Sequence, residues 1–388
     1  MKQAVIVTEN QYPCEDAGAI RQHVTAKLIE KLGYSVFVLG YGKSTNKKIL
    51  NYDGIDYISF RPISKNKFVR AIFRATVSRR MVKFVKHKFN NPSLVLVADV
   101  SEKTFELVSK VFKKSIIIHD SVEWFSEEQF DNAKKARAYK MRDNINRNLV
   151  SKGWRVMAIS SYLEEHFSKQ CDKVVRIPVI MDVDSMKYRV DIDGNCGKIK
   201  IAYVGSPGKK DYLKNIVEGF ELLSKELLER VEFHIVGVSN EQLVSMCDVN
   251  QSSIENLGDV LFVHGRIPHQ DAIGFVQNSD FTVLLRDASL RYARAGFPTK
   301  SVESLASATP IICNLSSDLG LYLKDGKNAF VAEDHMPESL KVALEKAITS
   351  SCESRREMRT NARKTAEEDF DYKNYTALFE ELLKTTSQ

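Results

Sequence analysis

No stretch of this sequence approaches the roughly 20 consecutive apolar residues that cross a bilayer, so no membrane-spanning helix is expected. Met1-Lys2-Gln3 leads only into the short apolar Ala4-Val5-Ile6-Val7, without the long hydrophobic run and small-residue cleavage site of a secretory signal. Cysteine is sparse: Cys14, Cys171, Cys196, Cys247, Cys313 and Cys352 stand singly, with no C-x-x-C pair and no histidine at metal-ligand spacing. Reduced thiols in a cytoplasmic protein are the expectation. Familiar nucleotide and metal signatures are missing too. Gly42-Lys43-Ser44 imitates the end of a P-loop, but Phe37 stands where its first glycine belongs. No G-x-G-x-x-G follows an apolar run, which argues against a dinucleotide dehydrogenase, and there is no H-E-x-x-H.

Acidic residues are absent between Tyr57 and Ala98, although the net charge of the chain is only +7. Basic residues, among them Arg70, Arg74, Arg79, Arg80, Lys83, Lys86 and Lys88, alternate there with Phe68, Ile72, Phe73, Val77, Met81 and Val85 at spacings of three and four. That pattern predicts a basic amphipathic helix or helix pair. So many interleaved apolar residues fit an anionic lipid surface, contacted through residues 61–88, better than nucleic acid, for which no module is present.

At 388 residues the chain exceeds what one core usually serves, and two α/β domains are expected. Apolar runs at 4–8, 35–39, 94–98, 115–119 and 156–160 alternate with helical stretches, as in a parallel, doubly wound sheet. A second series at 199–204, 231–236, 260–263, 281–285 and 310–313 follows the polar segment 191–198. The reading is a first Rossmann-like domain over 1–190, a second over 191–365 and a terminal helical segment over 366–388, with ligands in a cleft at the strands' carboxyl ends.

The strongest chemical signal lies in the second series. Strand 199–204 ends in Gly205-Ser206-Pro207-Gly208-Lys209-Lys210-Asp211, where glycine admits close backbone approach and lysine neutralises a diphosphate. A lysine at a helix start is unfavourable against the helix dipole unless an anion joins it, which marks Lys210. Downstream, Gly296-Phe297-Pro298-Thr299-Lys300 opens a helix whose free amides suit an anion. Glu303, one turn on, suits ribose hydroxyls.

These residues resemble the donor half of retaining GT-B glycosyltransferases, particularly family GT4. There a G-x-x-x-x-K type loop and an E-x7-E type loop and helix hold a nucleoside diphosphate sugar. Gly205 and Lys210 match the first, Gly265-Arg266-Ile267 the loop bordering the base, and Phe297-Pro298-Thr299-Lys300 with Glu303 the second. In the amino-terminal half the resemblance reaches Gly18, His119-Asp120, and Ala158 to Leu163 with Ile177-Pro178. It departs at Ala295, where E-x7-E has its first glutamate, and at Ser206, where a basic residue is usual; Lys209, Lys210, Arg294 or Lys300 supplies the charge instead.

The resemblance implies a GT-B fold of two Rossmann-like domains with an interdomain cleft. It implies transfer of a sugar, from a UDP-sugar for preference, to a glycan or lipid-linked glycan hydroxyl with retained configuration, in cell-surface polysaccharide assembly. His119, Lys210 and Lys300 are the expected catalytic residues. Gly205, Lys209, Arg266, Ile267, Arg294, Phe297, Pro298, Thr299 and Glu303 are expected on the donor, and Gly18, Glu123 and Trp124 on the acceptor. Asp182 and Asp184 imitate a metal-binding D-x-D but read as a turn near the hinge, so no metal and no other cofactor is expected. A nucleotide-sugar epimerase of the same architecture, or a non-catalytic nucleotide-sugar-binding subunit, is the alternative.

Overall fold

A computed structural model describes residues 2–13, 16–42, 48–61, 66–188 and 197–384. Most of the polar segment 191–198, Lys43-Ser44, Lys65, Cys14 and Cys196 lie outside the described residues. The chain divides into two compact units: Met1–Met181 with Tyr372–Gln388, and Asp182–Asp371.

Unit 1 is built on eight strands: β1 (Lys2–Gln11), β2 (Tyr34–Tyr41), β3 (Leu50–Tyr52), β4 (Ile55–Phe60), β5 (Leu94–Ala98), β6 (Ile116–Ser121), β7 (Arg155–Ala158) and β8 (Lys173–Arg176). Their order is β3-β4-β2-β1-β5-β6-β7-β8, parallel throughout except for β3 against β4. Ala4 to Val7 and Leu94 to Ala98 are buried on both faces, so these central strands are apolar without alternation. The helix Ala17–Lys31 starts on Asp16, whose carboxylate accepts from the Ala19 amide at 2.8 Å. Its Arg21 is buried and donates to both oxygens of Asp120 on β6, at 2.8 and 3.0 Å, and to the Pro178 carbonyl at 2.6 Å. The closing helix Thr376–Leu383 buries Phe379 and Leu382 in the core of this unit.

Among its described residues the acid-free window contains one helix, Lys67–Phe89, capped by the Asn66 side chain. Phe73, Val77, Met81 and Val85 recur every fourth residue and are buried. Phe68 and Ile72 are 81% and 64% exposed, on the stripe that Arg79, Lys83 and Lys86 continue.

Unit 2 holds β9 (Ile199–Val204), β10 (Val231–Val236), β11 (Leu261–Val263), β12 (Phe281–Leu284), β13 (Ile311–Asn314) and β14 (Ala329–Ala332). The order is β11-β10-β9-β12-β13-β14, all parallel. Consecutive connections run outward in opposite directions from β9 and β12. The carboxyl ends of that pair are the topological switch point, where open α/β sheets bind ligands. The corresponding point in unit 1 lies between β1 and β5.

One expectation about cysteine needs correction. Cys171, Cys247 and Cys313 are free, but Cys352 is disulfide-bonded. Disulfide formation depends on Cα separation in the folded chain, which sequence spacing does not report.

Candidate active site

Three glycine-bearing turns converge at the carboxyl end of the unit 2 sheet. Gly205, after β9, has φ +136°, and a Cβ there would lie 2.2 Å from Lys300 Cε. Gly237, after β10, has φ +113°, and its Cβ would lie 2.4 Å from the Gly205 carbonyl oxygen. The Gly237 amide donates to the Gly265 carbonyl at 2.7 Å, and the Gly205 amide to that of Val236 at 2.8 Å. Only glycine fits both the backbone conformation and the close approach at 205 and 237.

The space left by Gly205 is crossed by Lys300, from the first turn of the helix Thr299–Ala306. Its Nζ donates to Asp211 Oδ2 at 2.5 Å and sits 5.2 Å over the ring of Tyr203 on β9. Asp211 is buried and also accepts from Arg286 Nε at 2.9 Å and from the Tyr203 hydroxyl at 2.8 Å. Burial opposes ionisation of Asp211, but Lys300 and Arg286 outweigh it and hold its pKa down to about 2. Arg286 follows β12 and is clamped by Asn314, which accepts from its amide at 3.0 Å and donates to its carbonyl at 2.7 Å. The Tyr292 hydroxyl donates to the Lys210 carbonyl at 2.8 Å, tying the helix Arg291–Ala295 to the loop after β9.

The result is a buried carboxylate holding two cations at the switch point, with glycine backbone beside them. Such an arrangement suits a polyanion: the cations arrive pre-positioned and the backbone is open to close approach. Glu303 is half-buried on the same helix as Lys300, and its Oε1 lies 3.6 Å from Nε2 of His269, just beyond Gly265-Arg266-Ile267. Lys210 is half-buried, whereas Lys209, Arg266 and Arg294 are exposed.

Residues 186–365 match the family model described as glycosyl transferases group 1. An uncharacterized glycosyltransferase of Methanocaldococcus jannaschii is 21% identical, over 99% of this chain and 100% of that protein. Sucrose-phosphate synthase from Thermosynechococcus elongatus superposes with a TM-score of 0.73 at 14% identity, covering 98% of each chain. HepE of Anabaena, solved in complex with UDP and glucose, gives a TM-score of 0.71 at 13% identity over 99% of each chain.

The carboxyl-terminal half of this chain, residues 186–365, is a group 1 glycosyltransferase domain. The fold of the chain is GT-B, with two parallel-sheet domains.

Several expected site residues are buried. His119 was expected at the end of its strand, but β6 continues to Ser121, and His119 pairs in register with Val97 and Val156. It is 2% exposed and packs edge-on against Phe105 and Phe167, at ring separations of 5.4 and 5.8 Å. Burial, with the nearby Arg142 guanidinium, pushes its pKa down to about 3, so it is a neutral core side chain.

Trp124, expected on the acceptor, is buried; its indole donates to Asp143 at 2.9 Å, and Arg147 covers its ring at 5.0 Å. The Phe297 side chain is likewise core, packed on Tyr322 and Phe370 at 5.9 and 5.8 Å, and only its backbone remains available. Pro298 precedes the helix as its cap residue, and Thr299 is its first residue. Ala295 is fully buried, and Glu123 is half-buried beside Trp124.

Gly18 does sit at the switch point of unit 1. A Cβ there would lie 2.5 Å from Nδ2 of Asn10, which donates to Asp99 at 2.8 Å; Asp99 in turn pairs with Arg142. Asp99 holds φ +49°, a conformation uncommon for a residue with a side chain. Sequence reasoning missed Asn10, Asp99, Arg142, Tyr203 and Arg286, and quoted Asp211 without a role. For Arg286 and Asp99 a signal existed: each is a charged residue directly beyond a largely apolar run.

Proposed function

We propose that the glycosyltransferase moves a sugar from a nucleoside diphosphate donor, a UDP-sugar for preference, bound at the carboxyl end of the unit 2 sheet. The observation that carries this reading is Asp211 holding Lys300 and Arg286 beneath Gly205. As the glycosidic bond breaks, the departing diphosphate gains negative charge. Lys210, Lys300, Arg286 and the amides opening the helix Thr299–Ala306 stabilise that charge, the task a divalent ion performs in other transferases. Glu303 takes the ribose hydroxyls. The UDP held by HepE of Anabaena supports this nucleotide.

The acceptor is a glycan or lipid-linked glycan hydroxyl, the configuration is retained as in family GT4, and the pathway is polysaccharide assembly. A peripheral position on an anionic membrane is supported by exposed Phe68 and Ile72 on the stripe continued by Arg79, Lys83 and Lys86. Basic residues near such a surface contribute about 1 kcal/mol each.

The experiment is turnover of a panel of UDP-sugars with glycan acceptors by wild type and Lys210→Ala. The variant is expected to lose activity by about 10- to 100-fold, from one charge-assisted contact of about 1.5–3 kcal/mol, with an unchanged unfolding curve. Equal turnover removes Lys210 from the reaction.

A further inference from the structure

Unit 1 contains a second polar concavity that the donor site does not use, a pocket of ≈ 410 Å³. Its wall draws Arg74 from the helix Lys67–Phe89 and Lys103 from the first turn of the helix Glu102–Val111. Lys135 comes from the stretch entering the helix Arg137–Asn144, and Arg137 and Lys140 from that helix's first turn. One carboxylate, Glu102, faces them, and it already accepts from Asn144 at 3.0 Å. The side chains of Arg74, Lys135, Arg137 and Lys140 have no ion-pair or hydrogen-bond partner among the described residues. Lys103 donates to a neutral acceptor, the Ala75 carbonyl.

Cations spread over a solvated face need no partner. Five of them turned into one concavity repel one another, and the concave wall focuses their field. The place is informative as well: the pocket lies beyond the carboxyl ends of β5 and β6, beside the β1/β5 switch point. Its volume is within the range of small-ligand sites, about 300–1,000 Å³.

We propose that this pocket binds a phosphate or diphosphate group carried by the acceptor. The proposal rests on the reading of unit 2 as the donor site, since it gives the two anionic groups of the reaction separate seats. A lipid-linked diphosphate and a soluble sugar phosphate present the same chemistry to these residues.

The test titrates pyrophosphate calorimetrically into the full chain, with and without saturating UDP, for wild type and for Lys135→Gln/Arg137→Gln/Lys140→Gln. Wild type is expected to bind pyrophosphate in the presence of UDP. The triple variant should bind it roughly tenfold or more weakly, with UDP affinity unchanged. Arg137→Lys/Lys140→Arg, which keeps the charges, should retain binding and controls for folding. No pyrophosphate binding by UDP-saturated wild type, or equal affinity in the triple variant, overturns the proposal. Absence of UDP binding counts instead against the donor reading, and the pyrophosphate comparison without UDP then still reads the pocket.

Two further arms identify the source: glucose 6-phosphate in solution, and zwitterionic vesicles doped with a long-chain isoprenyl diphosphate. Whichever ligand the triple variant ceases to bind names the acceptor class. Retention of both by that variant overturns the proposal.

Discussion

Replacing Asp211 by asparagine keeps the shape of the side chain and removes its charge, so it isolates what the buried carboxylate does. In wild type the pKa of Asp211 falls from the ordinary 3.8 to about 2. That difference corresponds to about 2–3 kcal/mol of stability, at about 1.4 kcal/mol for each tenfold change in proton affinity. The contribution is fully present above pH 4. It disappears as pH falls through about 2, because the folded carboxylate resists a proton that the unfolded one accepts. Asp211→Asn should therefore be less stable at pH 7 by about 2–3 kcal/mol in urea unfolding. It should also lose less further stability than wild type between pH 4 and pH 2. In the same variant Lys300 and Arg286 lose their anchor, and UDP affinity should fall by about 10- to 100-fold. Parallel acid profiles in the two proteins would refute the assignment of Asp211 as an ionised anchor, and unchanged UDP affinity would refute its role in positioning the cations.

Gly205→Ala places a methyl group 2.2 Å from Lys300 Cε at φ +136°, and is expected to cost about 1–3 kcal/mol in strain and to weaken UDP binding; denaturant unfolding and calorimetry report both. His119→Gln should leave UDP-sugar turnover and its pH profile within a few-fold of wild type. It should, however, flatten the loss of stability that wild type shows as pH falls from about 6.5 toward 3, where the unfolded histidine takes up a proton that the buried one refuses.

The central strands were legible because parallel strands buried on both faces are written as near-continuous apolar runs: β1, β5, β9, β12 and β13 lie on theirs within a few residues. The strands that went unseen are β3, β4, β8 and β14, of which β3 has only three residues. Leu50 to Tyr52 is exposed throughout, and β8 begins and ends on a basic residue, so neither carries that signature.

The candidate site divides along a similar line. Gly205, Lys210, Lys300 and Glu303 occupy local patterns and could be picked out one by one. Their organiser could not, because Asp211 meets Arg286 and Lys300 only once β9 and β12 are neighbours in the sheet. His119 shows the limit of such a reading at a strand end. Two further residues of β6 beyond it turn an expected strand end into a position inside the strand, and strand ends are the least legible part of a sequence.

The claim on which the rest depends is that the switch point of unit 2 holds a nucleoside diphosphate through Lys300 and its neighbours. Calorimetric titration of UDP into wild type, Lys300→Ala and Glu303→Ala tests it most directly. Measurable affinity in wild type, weakened about 10- to 100-fold by Lys300→Ala and to a lesser degree by Glu303→Ala, is the predicted result. Equal affinity in all three folded proteins would place the nucleotide elsewhere and contradict the account.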